Sequence, residues 1–223
     1  MFTKIDKNLD KVNQVKSLAF SIAHETRNPL AGIKGCCELM KNNLNELIEY
    51  IDLIYDSSSQ GLAMIDMILN NIREGNIDKS NFTDLSISDT VKKAIKQYAY
   101  KNEDEKDLVS LNLEQNFIFK GDKNMMIFVI FNLLKNSLYY KSKIEIGTDA
   151  KPDGNYLYFK DYGPGIEKDK LALIFKSFFT SGKKDGTGLG LPFCKRIMTA
   201  FDGDIVCKSE IGEWTEFEMK FPH

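Results

Sequence analysis

The sequence has 223 residues, 43% of them hydrophobic and 28% charged, a globular balance long enough for one large domain or two smaller ones. Thirty Lys and Arg against 32 Asp and Glu leave a formal charge of −2, so there is no basic field for nucleic acid and no polybasic run for a membrane surface. Four cysteines without CxxC spacing, beside only two histidines, argue against a metal cluster or a disulfide framework. They fit reduced thiols in a reducing cytoplasm. No stretch reaches the roughly 18 apolar residues of a membrane helix and no signal peptide opens the chain, which points to a cytoplasmic chain or the cytoplasmic part of a longer one.

The chain opens with helical periodicity. Leu18, Ile22, Pro29, Ile33, Cys36 and Met40 recur at sums of three and four and share one stripe. A polar turn at Lys41-Asn42-Asn43-Leu44-Asn45 separates them from a second stripe, Leu47, Ile51, Ile54, Ser58, Leu62, Ile65, Leu69 and Ile72. Two helices joined in this way form a hairpin that cannot enclose a core alone, and pairing with an identical copy would complete a four-helix bundle. Gly75-Asn76 carries helix-stopping chemistry, so 75–83 reads as a linker dividing residues 1–78 from 79–223.

Beyond the linker the texture is mixed. Helices are predicted at Ile87–Tyr100, Lys123–Leu138 and Pro192–Ala200, and strands at Lys143–Gly147, Tyr156–Asp161, Asp204–Ser209 and Thr215–Phe221. In the last strand Phe217, Met219 and Phe221 face one way while Glu216, Glu218 and Lys220 face the other. The expected fold class is α+β: a helical hairpin, then an α/β sandwich with a mixed, mostly antiparallel sheet.

Within the first helix lies His24-Glu25-Thr26-Arg27-Asn28-Pro29-Leu30. Glu25 can accept from imidazole Nδ1–H and leave the Nε2 lone pair as a nucleophile. Asn28 follows one turn later on the same face. Pro29 denies the carbonyl of Glu25 its hydrogen bond and bends the helix beside the histidine. Proline in mid-helix costs about 3 kcal/mol, which is easier to explain in a switch than in a stalk.

Four further signals follow in order. Asn132 and Asn136 share a face of a helix, and amide oxygens suit a hard ion such as Mg²⁺. Asp161-Tyr162-Gly163-Pro164-Gly165-Ile166 places a carboxylate, able to accept from the adenine amino group, beside glycines that let backbone approach closely. Phe175-Lys176-Ser177-Phe178-Phe179-Thr180 is an aromatic cluster in a polar loop. Gly186-Thr187-Gly188-Leu189-Gly190-Leu191 runs into a helix whose free N–H groups suit phosphate oxygens. It is neither a P-loop nor a Rossmann fingerprint.

Taken together, these motifs resemble the sensor histidine kinases of two-component systems over nearly the whole chain. The resemblance implies a dimerisation and phosphoacceptor hairpin followed by a Bergerat-type ATP-binding domain. It implies autophosphorylation of His24 by ATP, with Glu25 as acidic partner, and phosphotransfer to the aspartate of a response-regulator receiver domain. Asn28 would help a water remove phosphate from that regulator. On the nucleotide side it implies Asn136 as Mg²⁺ ligand, Asn132 near the phosphates, Tyr140 beside adenine and Asp161 on the adenine amino group. Gly163, Gly165 and Ile166 would shape the pocket, and Gly186, Thr187, Gly188, Leu189 and Gly190 would hold the phosphate lid. Thr215 matches a threonine near the adenine-binding aspartate. The implied partners are ATP, a second copy of the chain and the receiver domain, with the chain as the cytoplasmic part of a longer sensor.

Three positions depart from the family pattern: Tyr139 stands where a phosphate-contacting lysine is common, Thr26 replaces an apolar residue, and Trp214 replaces a glycine. Lys135, Lys141, Lys183 or Lys184 could supply the missing cation. Two rival readings share the fold. A gyrase- or Hsp90-like ATPase needs a carboxylate base one turn before the metal-binding asparagine, where this chain has Asn132. A non-catalytic nucleotide-binding scaffold is the other.

Overall fold

A computed structural model describes residues 26–27, 30–40, 50–51, 54–55, 57–58, 61, 65, 77–98, 100, 102–180 and 188–223. His24, Glu25, Asn28, Pro29, Gly186, Thr187, Lys183 and Lys184 lie outside these residues, as do the polar turn at 41–45 and Gly75-Asn76. The chain divides into two compact units, one on residues 1–75 and one on 76–181 with 188–223. No helix among the described residues is long and apolar enough to cross a membrane.

In the first unit residues 30–40 are helical, and so are the described positions between 50 and 65. A Cβ added to Gly32 would stand 3.1 Å from Ser57 Oγ, so the backbone at 32 lies close to the segment around 57. Leu30, Leu39, Ile51, Tyr55 and Ile65 are all exposed, from 42% to 70%. A hairpin with so many large apolar side chains in water has not finished burying its hydrophobic surface.

In the second unit the described chain runs β1 (Thr83–Ser86), α1 (Ile87–Gln97), α2 (Glu103–Asp107), β2 (Val109–Asn112), β3 (Ile118–Gly121), α3 (Lys123–Leu138), β4 (Ile144–Lys151), β5 (Gly154–Asp161), α4 (Lys168–Leu171), α5 (Gly190–Ala200), β6 (Asp204–Glu210) and β7 (Trp214–Phe221). Five strands form one sheet in the order β2-β4-β5-β7-β6, and β1 pairs with β3 in a separate ribbon. Only the β2–β4 pair of the large sheet is parallel; the other three are antiparallel. The expected mixed, mostly antiparallel sheet is therefore present.

The inward row is Ile144 and Ile146 on β4, Leu157 and Phe159 on β5, Phe217, Met219 and Phe221 on β7, and Ile205 on β6, all buried. Val91 and Ala94 of α1, Met126, Ile130, Leu133 and Leu134 of α3, and Ile197 and Met198 of α5 are fully buried with them. Burying one such side chain is worth about 1.5–3 kcal/mol, so this two-layer core sets the position of everything attached to it. The opposite face of the sheet is not bare. Lys151 lies 4.4 and 5.0 Å from the ring centres of Tyr156 and Tyr158, and Lys160 lies 4.5 Å from that of Trp214. Lysine stems thereby cover the aromatic rings.

The helices start where capping chemistry permits. Ser86 accepts from the N–H of Asp89, Asn102 from that of Glu105 and Asp122 from that of Met125. Helix α1 ends at Gln97, three residues before the predicted Tyr100. Tyr98 turns to an extended conformation and sets its ring edge-on to Phe131 of α3, with centroids 5.3 Å apart. Aromatic packing outweighs one more turn of helix there.

Candidate nucleotide site

Helix α3 is apolar nearly all round and hence buried, with Asn132, Lys135 and Asn136 as its polar strip. Asn132 and Asn136 are both half-buried. Asn132 donates through Nδ2 to the carbonyl of Phe128 at 3.0 Å, which holds its amide in one orientation. Its Oδ1 lies so close to Gly190 that a Cβ there would collide with it. Glycine at 190 is therefore what lets the first turn of α5 approach the asparagine. Leu189 caps α5 with no side-chain hydrogen bond, so backbone N–H groups at this end remain for an anion.

Five residues along α3, about 7.5 Å of helix axis, Ser137 is 1% exposed. Its hydroxyl donates to Asp161 Oδ2 at 2.9 Å. Asp161, 5% exposed, ends β5, and its Oδ1 accepts from the N–H of Gly163 at 3.1 Å. The carboxylate is thus buried, oriented by two donors, and stands at one end of a groove floored by α3 while the α5 N-terminus stands at the other. A base at the first end and phosphates at the second fit this polarity.

The glycines of the turn answer steric needs. A Cβ on Gly163 would come within 2.7 Å of Asp161 Oδ1 and 3.4 Å of Tyr140 Cβ. Gly165 has φ +72, and a Cβ on it would press within 2.8 Å of Ile211 Cα. Space and conformation both demand glycine there. Ile166 follows and donates its N–H to Ser209 Oγ at 2.8 Å. Tyr140 lies against the turn, half in water; burial, then the charge of Asp161 and then Tyr139, raise its phenol pKa and keep it neutral. Tyr139 is 59% exposed and sits edge-on to Tyr140 at 5.1 Å. The Ser142 hydroxyl oxygen is buried without a hydrogen-bond partner in the chain and lies 3.5 Å from the Cβ position of Gly163. Such an orphan group at the edge of the turn fits a site that awaits a ligand.

Thr215, 5% exposed, is the direct cross-strand partner of Asp161 and of Ser209. Gly188 has φ +66, and its carbonyl accepts from the N–H of Phe178, which itself has φ 69. The aromatic segment is partly core, since Phe175 packs edge-on against Phe217 at 6.4 Å.

The described site residues Asn132, Asn136, Tyr140, Asp161, Gly163, Gly165, Ile166, Gly188, Leu189, Gly190 and Thr215 therefore all belong to α3, the two glycine turns or the adjoining strand ends. Two contributors escaped the sequence reading. Ser137 stands as a polar residue on the buried stripe of α3, and Ser209 continues the inward row of Ile205 and Cys207; polarity in an apolar row was the available signal in each case.

Comparison with known proteins agrees with this geometry. Residues 15–74 match the family described as His Kinase A (phospho-acceptor) domain, and residues 121–223 match the histidine kinase-, DNA gyrase B- and HSP90-like ATPase family. The chain is 34% identical over 233 residues to the CAI-1 autoinducer sensor kinase/phosphatase CqsS of Vibrio cholerae, covering 95% of this chain and 34% of that protein. It is 35% identical over 236 residues to the autoinducer 1 sensor kinase/phosphatase LuxN of Vibrio campbellii, covering 100% of this chain and 28% of that protein. It thus spans about a third of the length of these relatives. The catalytic domain of histidine kinase ThkA shares the fold with a TM-score of 0.54 at 21% identity, over 64% of this chain and 95% of that one. Full-length ShkA, solved with AMPPNP, does so with a TM-score of 0.60 at 20% identity, over 93% of this chain and 45% of that one. With both domain families in series and relatives that are sensor kinases along its whole length, the chain belongs to the sensor histidine kinases of two-component systems.

Proposed function

We propose that this chain binds ATP in the α3–α5 groove, transfers the γ-phosphoryl group to His24 and passes it on to the aspartate of a response-regulator receiver domain. The observation that carries the reading is the buried Asp161 carboxylate, held by Ser137 and Gly163, at the end of the groove opposite the α5 N-terminus. Asp161 accepts from the adenine amino group, Tyr140 and the Gly163 and Gly165 turn wall the base, and Asn132 with the 186–190 glycines faces the phosphates. Asn136 offers one amide oxygen to Mg²⁺, which keeps most of its coordination for water and phosphate and so needs no carboxylate cage. This fits the described residues, where no group of three or more His, Cys, Asp and Glu side chains could hold a metal. When bound, the ion supplies charge neutralisation for the phosphates.

Transfer is in-line. His24 Nε2 attacks the γ-phosphorus, the bond to the β–γ bridging oxygen breaks, and ADP leaves while Glu25 holds Nδ1–H. A neutral imidazole brings its own lone pair, so Asn132 need not act as a base. The exposed apolar side chains of the hairpin are covered by a second copy of the chain in a four-helix bundle. The chain works on the cytoplasmic side of a longer sensor, where ATP is available. Reverse flow of phosphate from the regulator uses Asn28 to orient a water. The domain boundary falls between residues 78 and 79.

The test is incubation with γ-labelled ATP and Mg²⁺. Wild type should acquire an acid-labile, base-stable label that a receiver domain then removes, and His24→Ala should bind ATP but take up none. Label persisting in His24→Ala would defeat the assignment.

A further inference from the structure

We propose, resting on the nucleotide-site reading above, that Ser209 is a positioning residue for base specificity: it fixes the Thr215 hydroxyl as an acceptor, so that the Asp161–Thr215 row takes hydrogen bonds from the base and offers none.

Proton counting carries the argument. A hydroxyl has one proton and two lone pairs. Ser209 Oγ lies 2.7 Å from the carbonyl oxygen of Trp214, which only accepts, so the Ser209 proton goes there. The N–H of Ile166, at 2.8 Å, only donates and takes one lone pair. Thr215 Oγ1, at 3.1 Å, has one role left toward Ser209: it donates into the second lone pair. That spends the single Thr215 proton. Its lone pairs then turn toward the space beside Asp161, the residue directly opposite in register.

The other side of the carboxylate is arranged to the same end. Ser137 spends its proton on Oδ2, and the Gly163 N–H is taken by Oδ1. A base with an amino group at this edge meets acceptors. Guanine, whose O6 accepts, meets oxygen lone pairs that cannot be turned while Ser209 holds the Thr215 proton. A buried acceptor facing an acceptor is costly because neither finds a partner. Ser209 reaches none of this by touching the base; it acts through Thr215. A plain structural pin between the Gly163–Ile166 turn and β7 would use two of the same bonds, and the two roles separate in their effect on discrimination.

The experiment is calorimetric titration of the full chain with ATP and with GTP in the presence of Mg²⁺. Wild type should prefer ATP. In Ser209→Ala the Thr215 proton is released and free to face guanine O6, so the ATP-over-GTP ratio should narrow about tenfold, the equivalent of one hydrogen bond gained or lost. Thr215→Val, which leaves the Ile166 and Trp214 bonds in place, should narrow it similarly, and the double variant should narrow it no further. Equal weakening of both nucleotides in Ser209→Ala, with the ratio preserved, would show a structural pin and overturn the proposal. If Ser209→Ala does not fold, an unchanged ratio in Thr215→Val overturns it alone. A wild type that binds ATP and GTP equally also overturns it. Binding of neither would instead defeat the nucleotide-site reading, and the inference with it.

Discussion

Replacing Asp161 by asparagine probes the carboxylate at its most exacting point. Its Oδ1 receives an N–H that can only donate, from Gly163 at 3.1 Å, and its Oδ2 receives the Ser137 hydroxyl at 2.9 Å. An asparagine must keep its oxygen toward Gly163, because an amide NH₂ there would face a donor. The NH₂ therefore takes the place of Oδ2, where Ser137 can rotate and accept. This arrangement folds, and it relieves the cost of burying a charge at a site 5% exposed. What it loses is the charged acceptor for the adenine amino group, and one amide N–H now points into the pocket. A charge-assisted hydrogen bond is worth about 1.5–3 kcal/mol, so the Kd for ATP should rise roughly tenfold to a hundredfold. Titration calorimetry beside a thermal melt makes the comparison. Weakened ATP binding with an unchanged or raised melting temperature is expected. Unchanged ATP affinity in a folded Asp161→Asn would refute the role given to the carboxylate.

Gly165→Ala should destabilise the second unit by about 1–3 kcal/mol and weaken ATP binding with it, since a non-glycine at φ +72 is strained and its Cβ would press on the backbone at 210–211; circular dichroism melts decide this. Burial pushes the Cys207 thiol up to about 12, with Asp161 and Glu216 adding to it, and burial raises Cys194 as well. At pH 8 the native chain should therefore alkylate at exposed Cys37 while Cys194 and Cys207 react only after denaturation, as read by peptide mass mapping. Because those thiols ionise more easily unfolded, their contribution to stability is complete below pH 9 and falls as pH climbs toward about 12. Asn28→Ala should keep most ATP labelling but slow regulator dephosphorylation about tenfold, because only the second reaction needs a water held in line; parallel losses would refute the separation.

The long elements were legible because their periodicity survives in the fold. Helix α3 matches its predicted span of Lys123–Leu138, and β7 alternates buried and half-buried residues from Thr215 to Phe221. The strands β1, β2 and β3 have four residues each, too few for a pattern to stand out. Val109–Asn112 has no buried position, and it is a strand because β4 offers it a parallel edge. Tyr98 ended α1 early for a contact with a residue 33 positions away, which no local propensity encodes. At the site, Asp161, Gly163 and Gly165 were legible since glycine next to a carboxylate has a steric purpose. Ser137 and Ser209 were not. Their partners, Asp161 and Ile166, stand 24 and 43 residues away, and only the sheet register brings them together.

The account turns on the claim that ATP held by the second unit phosphorylates one residue of the first. Tandem mass spectrometry of base-quenched chain after incubation with ATP and Mg²⁺ tests it most directly. A phosphoryl group on His24, absent without ATP and reduced in Asp161→Asn at limiting ATP, is the predicted result. Phosphate on a serine, threonine or tyrosine, or ATP turnover to ADP with no phosphorylated residue, would contradict it.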